Sequence, residues 1–145
     1  EYRIYTDADA LEQVFTNLVE NAVNYSDDGG KITVKANIKE VRHREVTREM
    51  IHFKVIDSGP GISKKHQQRI FERFYRVDKG RSRHLGGTGL GLAIVKHLCN
   101  AMDGEVGLES KEGEGCHFWF MLPVQPSDQD AMITGPSTSL ELASS

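Results

Sequence analysis

Of the 14 glycines in the sequence, eleven fall between Gly59 and Gly115, eight of them grouped as DSGPGI, GGTGLG and KEGEG. Glycine weakens helices and strands, so such grouping implies backbone turns with positive φ or another molecule approaching the chain closely. GGTGLG leads straight into an amphipathic stretch. Unpaired amide N–H groups and the positive end of a helix dipole would therefore face whatever lies above the loop, an arrangement suited to phosphate. Two common phosphate loops are excluded. A P-loop needs Lys-Ser or Lys-Thr directly after its last glycine, whereas Leu92 and Ala93 follow Gly91. A dinucleotide fingerprint needs a buried strand before its glycines, and RVDKGRSRH is too charged to be one.

A second group of polar residues lies near the amino end. Asn17 and Asn21, four apart, share a face with Glu20, Asn24 and Gln13, so a carboxamide stripe runs along the helix expected there. Three mid-helix asparagines cost about 1 kcal/mol relative to better helix formers, although a merely solvated face would look the same. Between Lys64 and Arg83, eight Lys or Arg residues oppose only Glu72 and Asp78, in a chain of net charge -3. A local cationic stretch in an acidic chain argues against general nucleic-acid binding and for one anionic ligand, unless it is simply a solvated loop. The pairs His97/Cys99 and Cys116/His117 fit no standard zinc spacing.

These groups need a scaffold. The 145 residues, 38% apolar and 27% charged, suit one globular domain that needs no disulfide or metal to hold its core. Two cysteines, Cys99 and Cys116, read as free thiols in a reducing compartment. The longest apolar run is far short of the ~20 residues that cross a bilayer, which leaves a membrane-anchored parent open. YRIYT alternates like a strand. Asp7 or Asp9 then caps a helix to about Tyr25, Asp9 forming a capping box with Glu12, and Leu11, Val14, Phe15, Leu18 and Ala22 share its apolar face. KITVKANIKE and IHFKVID read as an edge hairpin joined by the charged stretch VRHREVTREM. A short helix from Ser63, a basic glycine-rich loop to about Gly87, and a helix using Leu90, Ile94, Leu98 and Met102 and stopped by Gly104 come next. EVGLES and HFWFML close residues 1–125, and the polar segment 126–145 reads as a disordered tail. This order predicts an α+β two-layer sandwich: a mixed, mostly antiparallel sheet with helices on one face.

NLVENAVNYS, DSGPGI, FERFYRVD and GTGLGLAIVK, in this order and with these gaps, resemble the N, G1, F and G2 boxes of the catalytic ATP-binding domain of sensor histidine kinases. The first strand and GEGCHFWFMLP also look like that family, and the likeness covers residues 3–124. It implies a Bergerat-type fold with a mobile ATP lid, and ATP and magnesium as the ligands.

By this resemblance, Asn21 is the magnesium ligand and Asn17 lines the pocket near the phosphates. Tyr25 packs against adenine, Asp57 accepts from its exocyclic amine, and Gly59, Gly61 and Ile62 complete the base side. Phe71, Phe74 and Tyr75 anchor the lid, and Arg76 is the candidate phosphate contact. Lys79, Arg81 and Arg83 lie in the lid. Gly87, Thr88, Gly89, Leu90 and Gly91 form the phosphate side, where Thr88 offers a hydroxyl. There are two departures. Asn24 stands where the N box often has lysine, leaving Arg76 to supply that charge. Cys116 replaces the usual threonine or serine and bonds hydrogen more weakly.

None of the six histidines has the acidic neighbour of a phosphoacceptor. The resemblance therefore implies transfer of the γ-phosphoryl group from Mg-ATP to a histidine on a separate helical domain of the same parent kinase. The parent would be a cytoplasmic or membrane-anchored homodimer serving a response regulator. The alternative is an ATP-gated clamp of the gyrase, mismatch-repair or chaperone type, which carries a glutamate base where this chain has Asn17. Glu20, beside Asn21, is the residue that could act on water. An anti-sigma type serine kinase is disfavoured by FERFYR, and a binding module without transfer activity shares the same motifs.

Overall fold

The computed structural model describes residues 2–26, 29–77, 89–124 and 138–142. The first strand, β1 (Tyr2–Thr6), is followed by α1 (Ala8–Tyr25). Asp7 caps α1, accepting the N–H groups of Asp9 and Ala10 at 2.9 and 3.3 Å. Asp9 therefore sits inside the first turn, and the box expected between Asp9 and Glu12 gives way to an Asp7 cap. Leu11, Val14, Leu18 and Ala22 are buried, as the 3.6-residue period requires.

The hairpin is longer than its charges suggest. β2 (Ile32–His43) and β3 (Val46–Asp57) pair antiparallel from Ile32↔Asp57 to His43↔Val46, so only Arg44 and Glu45 turn the chain, Arg44 at φ 57°. Most of VRHREVTREM is strand, because an outer hairpin keeps its charged residues in water while Val41, Val46 and Thr47 favour the extended backbone.

A single turn, α2 (Lys64–Gln67), precedes α3 (Gly91–Ala101), and β4 (Glu105–Lys111) and β5 (Gly115–Pro123) follow. The main sheet has the order β2-β3-β5-β4. Every pairing among the described residues is antiparallel, in keeping with the mostly antiparallel sheet expected. Ile51, Phe53 and Val55 on β3 and Phe118, Phe120 and Leu122 on β5 meet the helices on one face. Phe15 of α1 sets its ring edge-on to Phe53 and Phe120, each 5.1 Å away.

α3 is turned relative to the expected stripe. Val95 and Cys99 are its buried residues, with Leu92, Leu98 and Met102 at the flanks, whereas Ile94 lies outside the core. Asp103, at φ 59°, takes the left-handed position that ends the helix, and Gly104 closes it with an N–H bond of 2.8 Å to the Cys99 carbonyl.

The segment expected to be a disordered tail contains a strand, β6 (Thr138–Leu142), antiparallel to β1 with Ile4 opposite Leu140. The alternation in TSLEL is the signal the polar composition concealed. Residues 125–137 and 143–145 lie outside the described residues.

Candidate functional site

The ends of α1 and β3 meet at Gly59, where an added Cβ would stand 2.4 Å from the Tyr25 carbonyl oxygen. Asp57, the last residue of β3, is 3% exposed. Its Oδ1 accepts the N–H of Gly59 at 2.9 Å and of Cys116 at 3.3 Å. Its Oδ2 is buried with no partner, as are Asn21 Nδ2 and Ser26 Oγ on α1 and at its end. Buried polar groups are nearly always satisfied, so orphaned atoms at one junction mark a place where a ligand completes the bonding. Burial raises the Asp57 carboxyl above the ordinary aspartate range, against the opposing pull of its two backbone donors.

Gly61 has φ +80°, and a Cβ there would lie 2.2 Å from the Lys111 carbonyl oxygen. Gly59 and Gly61 are thus required by the protein's own backbone, not only to clear space for a base. Ile62 is buried at 3% exposure.

On the opposite side, Asn17 Nδ2 donates to the Gly91 carbonyl at 3.3 Å and ties α1 to the start of α3. The N-cap position of α3 is Leu90, whose side chain makes no cap bond, and the positive end of the helix dipole favours an anion there. The aromatic segment is fastened to the same place. Phe74 N–H donates to the Gly89 carbonyl at 2.8 Å, and a Cβ on Gly89 would come within 2.7 Å of Phe74 Cα. Phe74 itself is 70% exposed and held at φ 65°, a conformation few bulky residues adopt. Phe71 packs edge-on to Phe118, the Tyr75 hydroxyl bonds His66 Nδ1, and the Arg69 guanidinium lies 4.7 Å over the Tyr75 ring.

Residues 6–126 match the family model described as histidine kinase-, DNA gyrase B- and HSP90-like ATPase. The chain belongs to this family. Within the histidine kinase-like ATPases it is 42% identical over 124 residues to the sensor histidine kinase WalK of Bacillus subtilis, covering 86% of this chain and 19% of WalK. Among solved structures it resembles the mycobacterial sensor histidine kinase MprB, with TM-score 0.67 and 25% identity over 86% of this chain and 79% of that one. It also resembles full-length ShkA solved in complex with AMPPNP, with TM-score 0.56 and 33% identity over 79% of this chain and 21% of ShkA. The chain thus spans about a fifth of WalK's length. It is a catalytic ATPase domain of the histidine kinase type.

Of the residues the resemblance singles out, contacts join Asp57 to Gly59 and Cys116 and Gly59 to Tyr25, while Asn17 is tied to Gly91 and Phe74 to Gly89. Asn24 is half-buried near the end of α1, Glu20 is exposed, and Arg76 is half-buried. Arg69 holds Glu72 at 3.1 Å, so the Glu72 carboxylate already has a cation. Gly87, Thr88, Lys79, Arg81, Arg83 and Asp78 lie outside the described residues. Cys116 is 2% exposed, its Sγ 3.3 Å from Ser110 Oγ, and burial pushes its thiol up to about 11. The sequence did not single out Ser26, the last residue of NLVENAVNYS, or Gln67 and Ser110, which lie outside the motifs. No described helix is long and apolar enough to cross a membrane.

Proposed function

We propose that this domain binds Mg-ATP and transfers the γ-phosphoryl group to a histidine on a separate helical domain of its parent kinase. The observation that carries the reading is Asp57, with one carboxylate oxygen saturated by backbone donors and the other buried and unpartnered. A carboxylate in that state accepts a hydrogen bond from a donor on a flat ligand, such as the exocyclic amine of adenine.

From that anchor the triphosphate reaches toward the start of α3, where the positive end of the helix dipole offsets its charge. Arg76 adds a cation. In the transfer step the bond from the γ-phosphorus to the β,γ-bridging oxygen breaks and a phosphorus–nitrogen bond to the imidazole forms. ADP leaves. The domain's share is positioning and charge neutralisation.

Magnesium suits the residues present. Magnesium characteristically uses one or two protein oxygens with the nucleotide's phosphates. Asn21 would supply the amide oxygen, and its buried Nδ2, which has no partner within the protein, would be left to donate to a phosphate oxygen. When bound, the cation neutralises phosphate charge. The clamp-type ATPase reading is weakened by Asn17, an amide tied to Gly91 where a glutamate base would stand.

The parent is proposed to be a homodimer that passes the phosphoryl group to a response regulator, with this domain on the cytoplasmic side. Calorimetry tests the binding. The chain should bind ATP and ADP with magnesium at micromolar affinity or weaker, since ordering a lid costs affinity. Asn21→Ala should abolish the magnesium-dependent part, and Asn17→Ala should do less. Absence of any nucleotide binding would sink the reading.

A further inference from the structure

Ser110 lies outside all four nucleotide motifs, yet its side chain has a full set of partners. Its Oγ accepts the N–H of Ile62 at 2.8 Å and donates to the carbonyl of Gly115 at 2.9 Å. The Cys116 Sγ is 3.3 Å from the same oxygen, across the β4–β5 pair that sets Ser110 opposite Cys116. A hydroxyl has one donor and two acceptor positions, and all are used.

The Gly115 carbonyl and the Cys116 N–H belong to one peptide plane. Ser110 holds the oxygen end of that plane, and the Cys116 N–H at the other end donates to Asp57 Oδ1 at 3.3 Å. A Cβ on Gly115 would stand 2.1 Å from the Asp57 carbonyl oxygen, so the plane lies directly against β3. The hydrogen bonds therefore run in sequence from Ile62 N–H through Ser110 and the 115–116 peptide to the carboxylate. Linked bonds of this kind polarise one another.

Gln67 secures the other end. Its Nε2 donates to the Ile62 carbonyl at 2.7 Å and to the Ser110 carbonyl at 3.2 Å. Both backbone groups of Ile62 are thus held by side chains, one from Ser110 and one from Gln67.

We propose that Ser110 is a positioning residue for base recognition: through the 115–116 peptide it fixes the rotation of the Asp57 carboxylate, so that Oδ2 faces the exocyclic amine of adenine. The proposal rests on the reading of Asp57 as the group that binds that amine. A weaker hydrogen-bonding thiol at Cys116 is tolerated because the neighbouring strand supplies the hydroxyl.

The test compares Mg-ATP with the magnesium complex of purine riboside triphosphate, which lacks the amine, by calorimetry on the full chain. The parent should prefer ATP about tenfold or more, the worth of one charge-assisted hydrogen bond. Ser110→Ala should lose most of that preference through weaker ATP binding while affinity for the amine-free analogue stays within about twofold. Ser110→Thr should restore it. A purely structural role would instead lower the thermal midpoint and weaken both ligands equally, which would overturn the proposal. If the alanine variant does not fold, Ser110→Cys, of similar volume and weak bonding, carries the same comparison. Asp57→Asn separates the two claims. Preference lost in Asp57→Asn but kept in Ser110→Ala would refute the role of Ser110 alone, and preference kept in Asp57→Asn would remove the reading of Asp57 and the proposal with it.

Discussion

Asp57, the residue proposed to read the base, is buried at a cost to stability. Its carboxyl titrates above the ordinary aspartate range because burial disfavours the charge. A raised acid pKa means that the folded chain binds this proton more readily than the unfolded one, so the residue's contribution becomes less favourable as pH rises past the ordinary range. Asp57→Asn should therefore leave the melting temperature unchanged or raise it, while adenine nucleotides lose their advantage over guanine nucleotides, whose base offers a carbonyl at that position. A variant that melts lower yet keeps its selectivity would contradict both halves. His52 works in the opposite sense. It is 5% exposed, stacked on Trp119 at 5.4 Å, and burial aided by Lys39 and Lys54 lowers its pKa to about 4. The unfolded chain then takes up this proton from about pH 6.5 downward while the folded chain does not, so stability falls as pH drops from 6.5 toward 4. Urea unfolding at pH 7.5 and 5.0 should show the parent losing about 1–3 kcal/mol more than His52→Gln. Equal losses would show that His52 is not the group responsible.

Among the elements, the turn from β3 to α2 has little freedom to change. Gly61 combines a positive φ with a carbonyl 2.2 Å from where a Cβ would be, and Ile62 beyond it is fixed on both backbone groups. Gly61→Ala should destabilise by about 2 kcal/mol or more, one part from the left-handed backbone and the rest from displacing Lys111. Gly113→Ala is the control, since its φ is +83° but nothing lies within 4 Å; it should cost only the backbone part, about 1 kcal/mol. Chemical denaturation of both variants measures the difference. Equal losses would mean that the approach to Lys111 relaxes freely. The Phe74–Gly89 bond works on the other side of the site, joining the two ends of residues 75–88 at one point.

At the scale of the whole molecule the prediction concerns where the acceptor lies. No histidine in this chain stands beside an acidic residue in the phosphoacceptor manner. Incubated with labelled ATP, the chain should not label itself, yet it should phosphorylate a supplied histidine-bearing helical domain of its parent. Arg76→Ala should slow transfer at saturating ATP more than it weakens binding, because a cation acts most strongly where charge shifts in the transition state. Lost thermal stability with normal transfer would instead make Arg76 a structural ion-pair partner. Robust acid-labile self-labelling of the chain would overturn the placement of the acceptor elsewhere.

The sequence alone determined the family, the order of the elements from β1 to β5 and the α1 core face, because four motifs in fixed order and a 3.6-residue apolar period are local properties of the chain. It also singled out Asp57, Asn21 and the glycine clusters. Tertiary structure decided what those residues touch. Nothing in EVGLES indicated that Ser110 would meet Cys116 across a strand pair, or that the peptide preceding Cys116 would carry a bond to Asp57. The buried stripe of α3 moved from Ile94 to Val95 and Cys99 because packing against α1 and the sheet, not the helix's own period, sets which side faces inward. The pairing of β1 with β6 was hidden for the same reason: two short alternating segments more than 130 residues apart carry no local sign of each other, and only the folded chain brings their backbone donors and acceptors into register.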